Sequence, residues 1–199
     1  MYPKLIEDLL LHLIKLPGIG RRSAERIVFW LLNQTNGDVD AFAKSLTALK
    51  QNLRFCQKCN NFSESEECLI CRNPSRDHKM ICVVEDPKDV LAIERTGAYK
   101  GIYHVLLGTI APLEGRGPEA LKINQLLERI TKEKIEEVVI ATDPDSDGEM
   151  TAHYLIKQIR PLNVMVSRIG LGIPVGSSVE YADLSTLSMS LNSRREIRE

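Results

Sequence analysis

The chain has 199 residues and a mass of 22.4 kDa, and its 43% hydrophobic content is enough for a packed core. Its 26 Lys and Arg against 27 Asp and Glu give a formal net charge of −1, which excludes a globally basic nucleic-acid binder and leaves only local patches for that role. No apolar run approaches the roughly 20 residues that span a bilayer, and no basic segment with a cleavable apolar stretch opens the chain, so the expectation is a cytoplasmic protein without a membrane partner.

After Pro3, the stripe Ile6, Leu9, Leu10 and Leu13 predicts an amphipathic helix, which Leu16-Pro17-Gly18-Ile19-Gly20 breaks. A second stripe follows at Ala24, Ile27, Val28, Leu31 and Leu32. Between the two, Gly18 and Gly20 free the backbone to turn and expose amide N–H groups, and the next helix adds the positive end of its dipole, a combination suited to a phosphate oxygen. Lys15, Arg21, Arg22 and Arg26 supply charge around this turn. Contacts of this kind hold a backbone without reading bases, so the ligand they predict is DNA of any sequence. The same residues also describe an ordinary helical hairpin with solvated arginines, but the Leu-Pro-Gly-Ile-Gly turn resembles the helix-hairpin-helix motif. Asn36-Gly37 reads as a turn, and Val39, Phe42, Ala43, Leu46 and Leu49 as a third helical stripe that packs the first two.

Cys56-Gln57-Lys58-Cys59 and Cys68-Leu69-Ile70-Cys71 are two Cys-x-x-Cys knuckles. Four thiolates fill the tetrahedral shell of a structural Zn²⁺ and leave no open position for catalysis. The alternatives are two redox dithiols or a pair of disulfides, and no strand-helix context surrounds either pair to favour them. The segment is too polar to fold alone, so metal binding supplies much of its folding free energy. The fifth cysteine, Cys82, lies in the apolar run 80–84 and reads as a buried core thiol.

That run ends in Glu85-Asp86-Pro87, followed by a helix through Val90, Leu91 and Ile93, a strand over 102–107, a Gly-rich loop over 108–118, and a helix through Ile123, Leu126, Leu127 and Ile130. A continuous apolar strand from Glu137 then gives way to Asp143, Asp145, Asp147 and Glu149, with a helix through Ala152, Leu155, Ile156 and Ile159 and a strand over 164–169 beyond. This β-α-β-α-β-α-β order predicts a mostly parallel sheet with right-handed crossovers, Glu85 and Asp143 ending two of its strands. Ligands of open α/β sheets collect at such strand ends. Asp143, Asp145 and Asp147 could converge on Mg²⁺; equally, they could form a solvated turn that caps the next helix. In the tail, Gly170-Leu171-Gly172-Ile173-Pro174-Val175-Gly176 lacks the dinucleotide spacing and a P-loop lysine, which argues against ATP hydrolysis. It reads as an extended connector to a short helix through Leu184, Leu187 and Leu191 that a neighbouring subunit would cover. Arg194, Arg195 and Arg198 read as solvated end charges.

Val84-Glu85 with Asp143-x-Asp145 resembles the Toprim fold of topoisomerases and primases, where the glutamate is a general acid or base and the aspartates hold Mg²⁺. With the helix-hairpin-helix, the four cysteines and the tail Ile173-Pro174-Val175-Gly176-x-x-x-Glu180-Tyr181-Ala182-Asp183-x-x-Thr186-Leu187, nearly the whole chain resembles the RecR family of bacterial recombination mediators. The resemblance implies an α/β protein with a helix-hairpin-helix domain over 1–53, a four-cysteine zinc finger over 54–76, a Toprim domain over 77–169 and an oligomerisation tail over 170–199. It further implies a cytoplasmic, nucleoid-associated homotetramer that rings DNA without chemistry of its own. Such a ring would work with RecO-like and RecF-like partners to load recombinase at single-strand gaps. Lys15, Gly18, Gly20, Arg21, Arg22 and Arg26 would face DNA, Cys56, Cys59, Cys68 and Cys71 would hold zinc, and Glu85, Asp143, Asp145 and Asp147 would form a Mg²⁺ or partner-docking surface. The acids at 143–147 are denser than is usual in this family and closer to the catalytic Toprim pattern, which keeps a Mg²⁺-dependent nuclease as the alternative. A topoisomerase would need a further domain to bring a tyrosine to the acids.

Overall fold

The computed structural model describes residues 2–170 and 172–194, so Leu171, Arg195 and Arg198 of the tail lie outside the described residues. The chain forms two compact units that divide between Leu53 and Arg54.

The first unit is helical, with α1 (Lys4–Leu13), α2 (Arg21–Leu32) and α3 (Asn36–Asn52). Leu10 of α1 meets Ala24 and Val28 of α2 in a small core flanked by Tyr2, Ile6, Leu13 and Ile19. Two expectations need correction here. Asn36 and Gly37 lie inside the first turn of α3, because Thr35 caps that helix by accepting the Asp38 amide at 3.2 Å and so draws the turn residues into it. Nor does the α3 stripe pack the other helices: α3 buries no residue, and Phe42, Leu46 and Leu49 are all more than half exposed.

The second unit is built on a four-stranded parallel sheet of β3 (Asp77–Val84), β4 (Gly101–Val105), β5 (Glu137–Ile140) and β6 (Met165–Arg168), in the order β4-β3-β5-β6. Helices α5 (Pro87–Thr96), α6 (Ile123–Lys132) and α7 (Ser146–Ile159) provide the crossovers. One sheet face packs Ile81, Val83, Ile102, Val138 and Ile140 against Leu126, Ile130, Leu155 and Ile159. The other packs Cys82, Val84, Tyr103 and Val105 around Val90 of α5. Burial pushes the Cys82 thiol up to about 12, which makes it an inert core residue, as its apolar flanks predict. The strand expected over 102–107 stops at Val105, since Leu107 takes a left-handed φ of 63° and starts the loop, in which Pro112–Glu114 and Pro118–Ala120 are short 3₁₀ turns.

Ahead of the sheet, β1 (Arg54–Phe55) and β2 (Phe62–Ser63) form a two-stranded antiparallel ribbon, and α4 (Leu69–Arg72) closes the finger. The finger sits on edge strand β4. The Val105 amide donates to the Cys59 carbonyl at 2.8 Å, and Asn60 Nδ2 donates to the Val105 carbonyl at 3.2 Å and to Gln125 Oε1 at 2.9 Å. Gln125 Nε2 returns a bond to the Gln57 carbonyl at 2.6 Å. Farther along the same edge, Arg129 Nη1 donates to the Tyr103 carbonyl at 2.7 Å, and Arg76 donates to the Gly101 carbonyl at 3.4 Å while pairing with Glu94 of α5. After the sheet, the tail carries a 3₁₀ turn at Val179–Tyr181 and α8 (Leu184–Asn192), capped by Asp183 and burying no residue.

Asn60 holds this junction twice over, through its side-chain bonds and through a left-handed φ of 60°, a conformation that asparagine tolerates better than most residues. Asn60→Ala strips both bonds and leaves a buried carbonyl unmatched, so it is expected to cost about 1–3 kcal/mol. Urea unfolding of the zinc-loaded protein measures this, and a change within error would show that the finger docks by other means.

Candidate metal and nucleic-acid sites

The four finger cysteines, expected to meet, do so. All are buried, and their Sγ atoms lie within 4.8 Å of one another, with Cys59 and Cys68 at 3.5 Å. Backbone bonds shape the knuckle: Cys56 N–H donates to the Asn61 carbonyl at 2.7 Å and Asn60 N–H to the Cys56 carbonyl at 2.9 Å. The second knuckle turns into α4, where the Cys68 amide donates to Cys56 Sγ at 3.3 Å. Hydrogen bonds from Cys59, Cys68 and Cys71 hold the Cys56 thiol below the usual thiol range. Zn–S bonds of about 2.3 Å fit such a quartet, and four soft sulfur donors select Zn²⁺ over hard cations. No disulfide competes, because all five cysteines are free.

The acidic strand ends are arranged differently. Glu85 directly follows β3, is 8% exposed, and accepts the Asp143 amide on Oε1 at 2.9 Å. Burial raises its pKa to about 7, against the pull of that amide, with Asp143, Asp145 and Asp89 pushing the same way. Asp145 caps α7, its Oδ1 accepting the Gly148 amide at 2.8 Å. Glu149, in the first turn of α7, forms two bonds with Arg168 at the end of β6, at 2.6 and 2.7 Å, which hold it below the usual carboxylate range. Gly148 is dictated by space, since a Cβ there would lie 2.1 Å from the Asp143 carbonyl oxygen and 2.8 Å from Glu85 Oε1. Among the described residues, the cysteine quartet is the one set of three or more ligand side chains at metal-binding distance, and the acids form no second such set.

In the helical unit, Gly18 adopts φ +78° and Gly20 precedes α2 without any side-chain cap, so the first amides of α2 face solvent beside exposed Lys15, Arg22 and Arg26. Arg21 is engaged: it reaches Glu7 at 3.2 Å and Glu25 at 3.4 Å. Exposed pairs of this kind are weak enough to yield to a phosphate. Arg22 and Arg26 have no ion-pair partner among the described residues. Sequence reasoning missed Asn60, whose signal is an asparagine directly after a Cys-x-x-Cys knuckle, and Arg168, which nothing in its local sequence marks.

Family models agree with this layout. The Toprim domain matches residues 79–170, and models described as RecR helix-hairpin-helix, RecR four-cysteine zinc finger domain and RecR C-terminal match 6–50, 53–73 and 172–195. Fold and sites together define a zinc-finger Toprim protein with a helix-hairpin-helix module. Along its length the chain is 48% identical over 197 residues to the recombination protein RecR of Tropheryma whipplei, covering 99% of this chain and 100% of the relative. It is also 48% identical over 194 residues to that of Syntrophobacter fumaroxidans, covering 98% and 96%, and 45% identical over 197 residues to that of Thermobifida fusca, covering 99% of each. The chain belongs to the RecR family.

Cys56→Ser is expected to release zinc and lower the melting temperature, because the finger has no apolar core beyond its cysteines and Ile70. Elemental analysis reads the first effect, and undiminished zinc content would remove the site. Glu85 binds its proton more tightly in the folded state than at the ordinary value of 4.5. Its contribution to stability is therefore complete below about pH 4.5 and declines as pH rises to about 7. Glu85→Gln, which copies the protonated form and keeps the acceptor for Asp143, should be more stable than the parent at pH 8 and level with it near pH 4.5. Urea midpoints at the two pH values decide, and a less stable variant at pH 8 refutes the burial argument.

Proposed function

We propose that this protein is a DNA-binding recombination mediator of recombinational repair, assembling as a ring-like homotetramer on DNA. It has no chemistry of its own and acts with RecO-like and RecF-like partners to load recombinase at single-strand gaps. The observation that carries the reading is the uncapped start of α2 behind Gly18 and Gly20, with Arg22 and Arg26 unpaired beside it. Amides and arginines so placed hold phosphates and ignore sequence, as a mediator working at any gap must. Self-assembly is supported by the apolar side chains each unit leaves in solvent: Phe42, Leu46 and Leu49 on α3, and Val175, Tyr181 and Leu184 on the tail. The acids at the sheet's carboxyl end suit a basic partner surface, and among the described residues Asp143 and Asp147 have no side-chain ion pair to give up for it.

Replacing Arg22 and Arg26 together with glutamine should weaken binding about equally for unrelated DNA sequences and reduce the slope of log affinity against log salt by about two, one for each phosphate contact. A loss confined to particular sequences would sink the phosphate reading. Light scattering on the same samples should give a mass of four chains. Metal-dependent nicking of supercoiled plasmid that disappears in Asp143→Asn would replace the mediator with the nuclease.

A further inference from the structure

Trp30 is the chain's one tryptophan, and it is 60% exposed. It lies on α2, whose buried residues are Ala24 and Val28. At about 100° per residue, Arg22, Arg26 and Trp30 follow one another at i, i+4 and i+8 along a stripe that points away from the side of Ala24 and Val28. That is the pole where an amphipathic helix normally carries polar groups. Here it ends in the largest apolar ring available, next to the two unpaired arginines. Ser23, Arg26, Ile27, Phe29 and Trp30 line a single open groove. Beyond Phe29, the Tyr2 ring meets Phe29 edge-on at 5.9 Å and buttresses that side.

Unpaired cations followed at helical spacing by an exposed aromatic ring match the two needs of an unpaired nucleic-acid strand: charge for the phosphates and a flat face for a base. Duplex DNA has the first need only, because its bases already stack on one another. A second copy of this chain is a poor occupant. A symmetric contact through this stripe would gather four arginines, Arg22 and Arg26 from each copy, and like charges so gathered oppose association.

We infer that Trp30 is a base-stacking residue that gives this protein a preference for single-stranded over duplex DNA, with the strand's phosphates on Arg22 and Arg26. The inference rests on the DNA-binding reading and adds the strand form to it.

Because no other tryptophan emits, fluorescence of the full-length protein reports this one ring. The titrants are an oligothymidylate, an abasic strand of the same length and a mixed-sequence duplex. Oligothymidylate should quench the emission, whereas the abasic strand and the duplex should bind in a salt-dependent way without quenching it. Trp30→Leu should lose roughly tenfold in affinity for oligothymidylate and nothing for the duplex, and Trp30→Phe, which keeps a stacking face, should retain most of the affinity. If strand and duplex both bind and the emission stays constant, the stacking role is wrong while the DNA-binding reading stands. If emission follows protein concentration alone, and Trp30→Leu lowers the assembled mass, the ring belongs to a contact between copies and the inference fails. If no DNA binds in any form, the DNA-binding reading itself has failed and this inference with it.

Discussion

A buried carboxylate that accepts a backbone amide from the neighbouring strand end fixes the chemistry-bearing end of the sheet. Glu85 leaves β3 and Asp143 follows β5, and the bond between them closes the space just beyond those two parallel strands. The chain can then pass into α7 only by bringing Gly148 against the Asp143 carbonyl, an approach that no residue with a Cβ could make. Thr142 secures the same turn by donating to the Gly148 carbonyl at 3.0 Å. The cost is a carboxylate in a site that favours its neutral form, the kind of local strain on charge that folds concentrate where they present functional groups.

Once that turn is set, the acids divide by task. Asp145 satisfies a helix amide and Glu149 holds the end of β6 through Arg168, so two of the acids in this run serve the fold. The finger gathers four soft sulfur donors at metal-binding distance. The start of α2 gathers uncapped backbone amides and arginines, which provide positive charge.

The sequence was most legible where one residue type has few uses. Two Cys-x-x-Cys pairs leave little but a metal, and alternating apolar strands and helices leave little but a parallel sheet. It was least legible where a pattern reports burial without naming the partner. The α3 stripe Val39, Phe42, Leu46 and Leu49 has the same spacing whether its cover is the α1–α2 pair or another molecule, and the α1–α2 pair does not bury it. Asn36-Gly37 misled for a related reason: a strong turn dipeptide yielded to a threonine cap one residue earlier. The split among the acids was hidden as well. Asp145 reads identically as a cap and as a ligand, and Arg168 lies far along the chain from the Glu149 it holds.

The edges of the sheet are treated unequally. On β4, the outward carbonyls of Gly101, Tyr103 and Val105 are taken by Arg76, Arg129 and Asn60, and the Val105 amide by Cys59. Half of that dressing hangs on a knuckle whose cysteines a metal would tie together. Exposed strand edges recruit other strands, so loss of zinc turns a closed edge into an adhesive one. Metal starvation or thiol oxidation would therefore reach this protein as precipitation that starts at the sheet edge, with the separate core of the helical unit left intact.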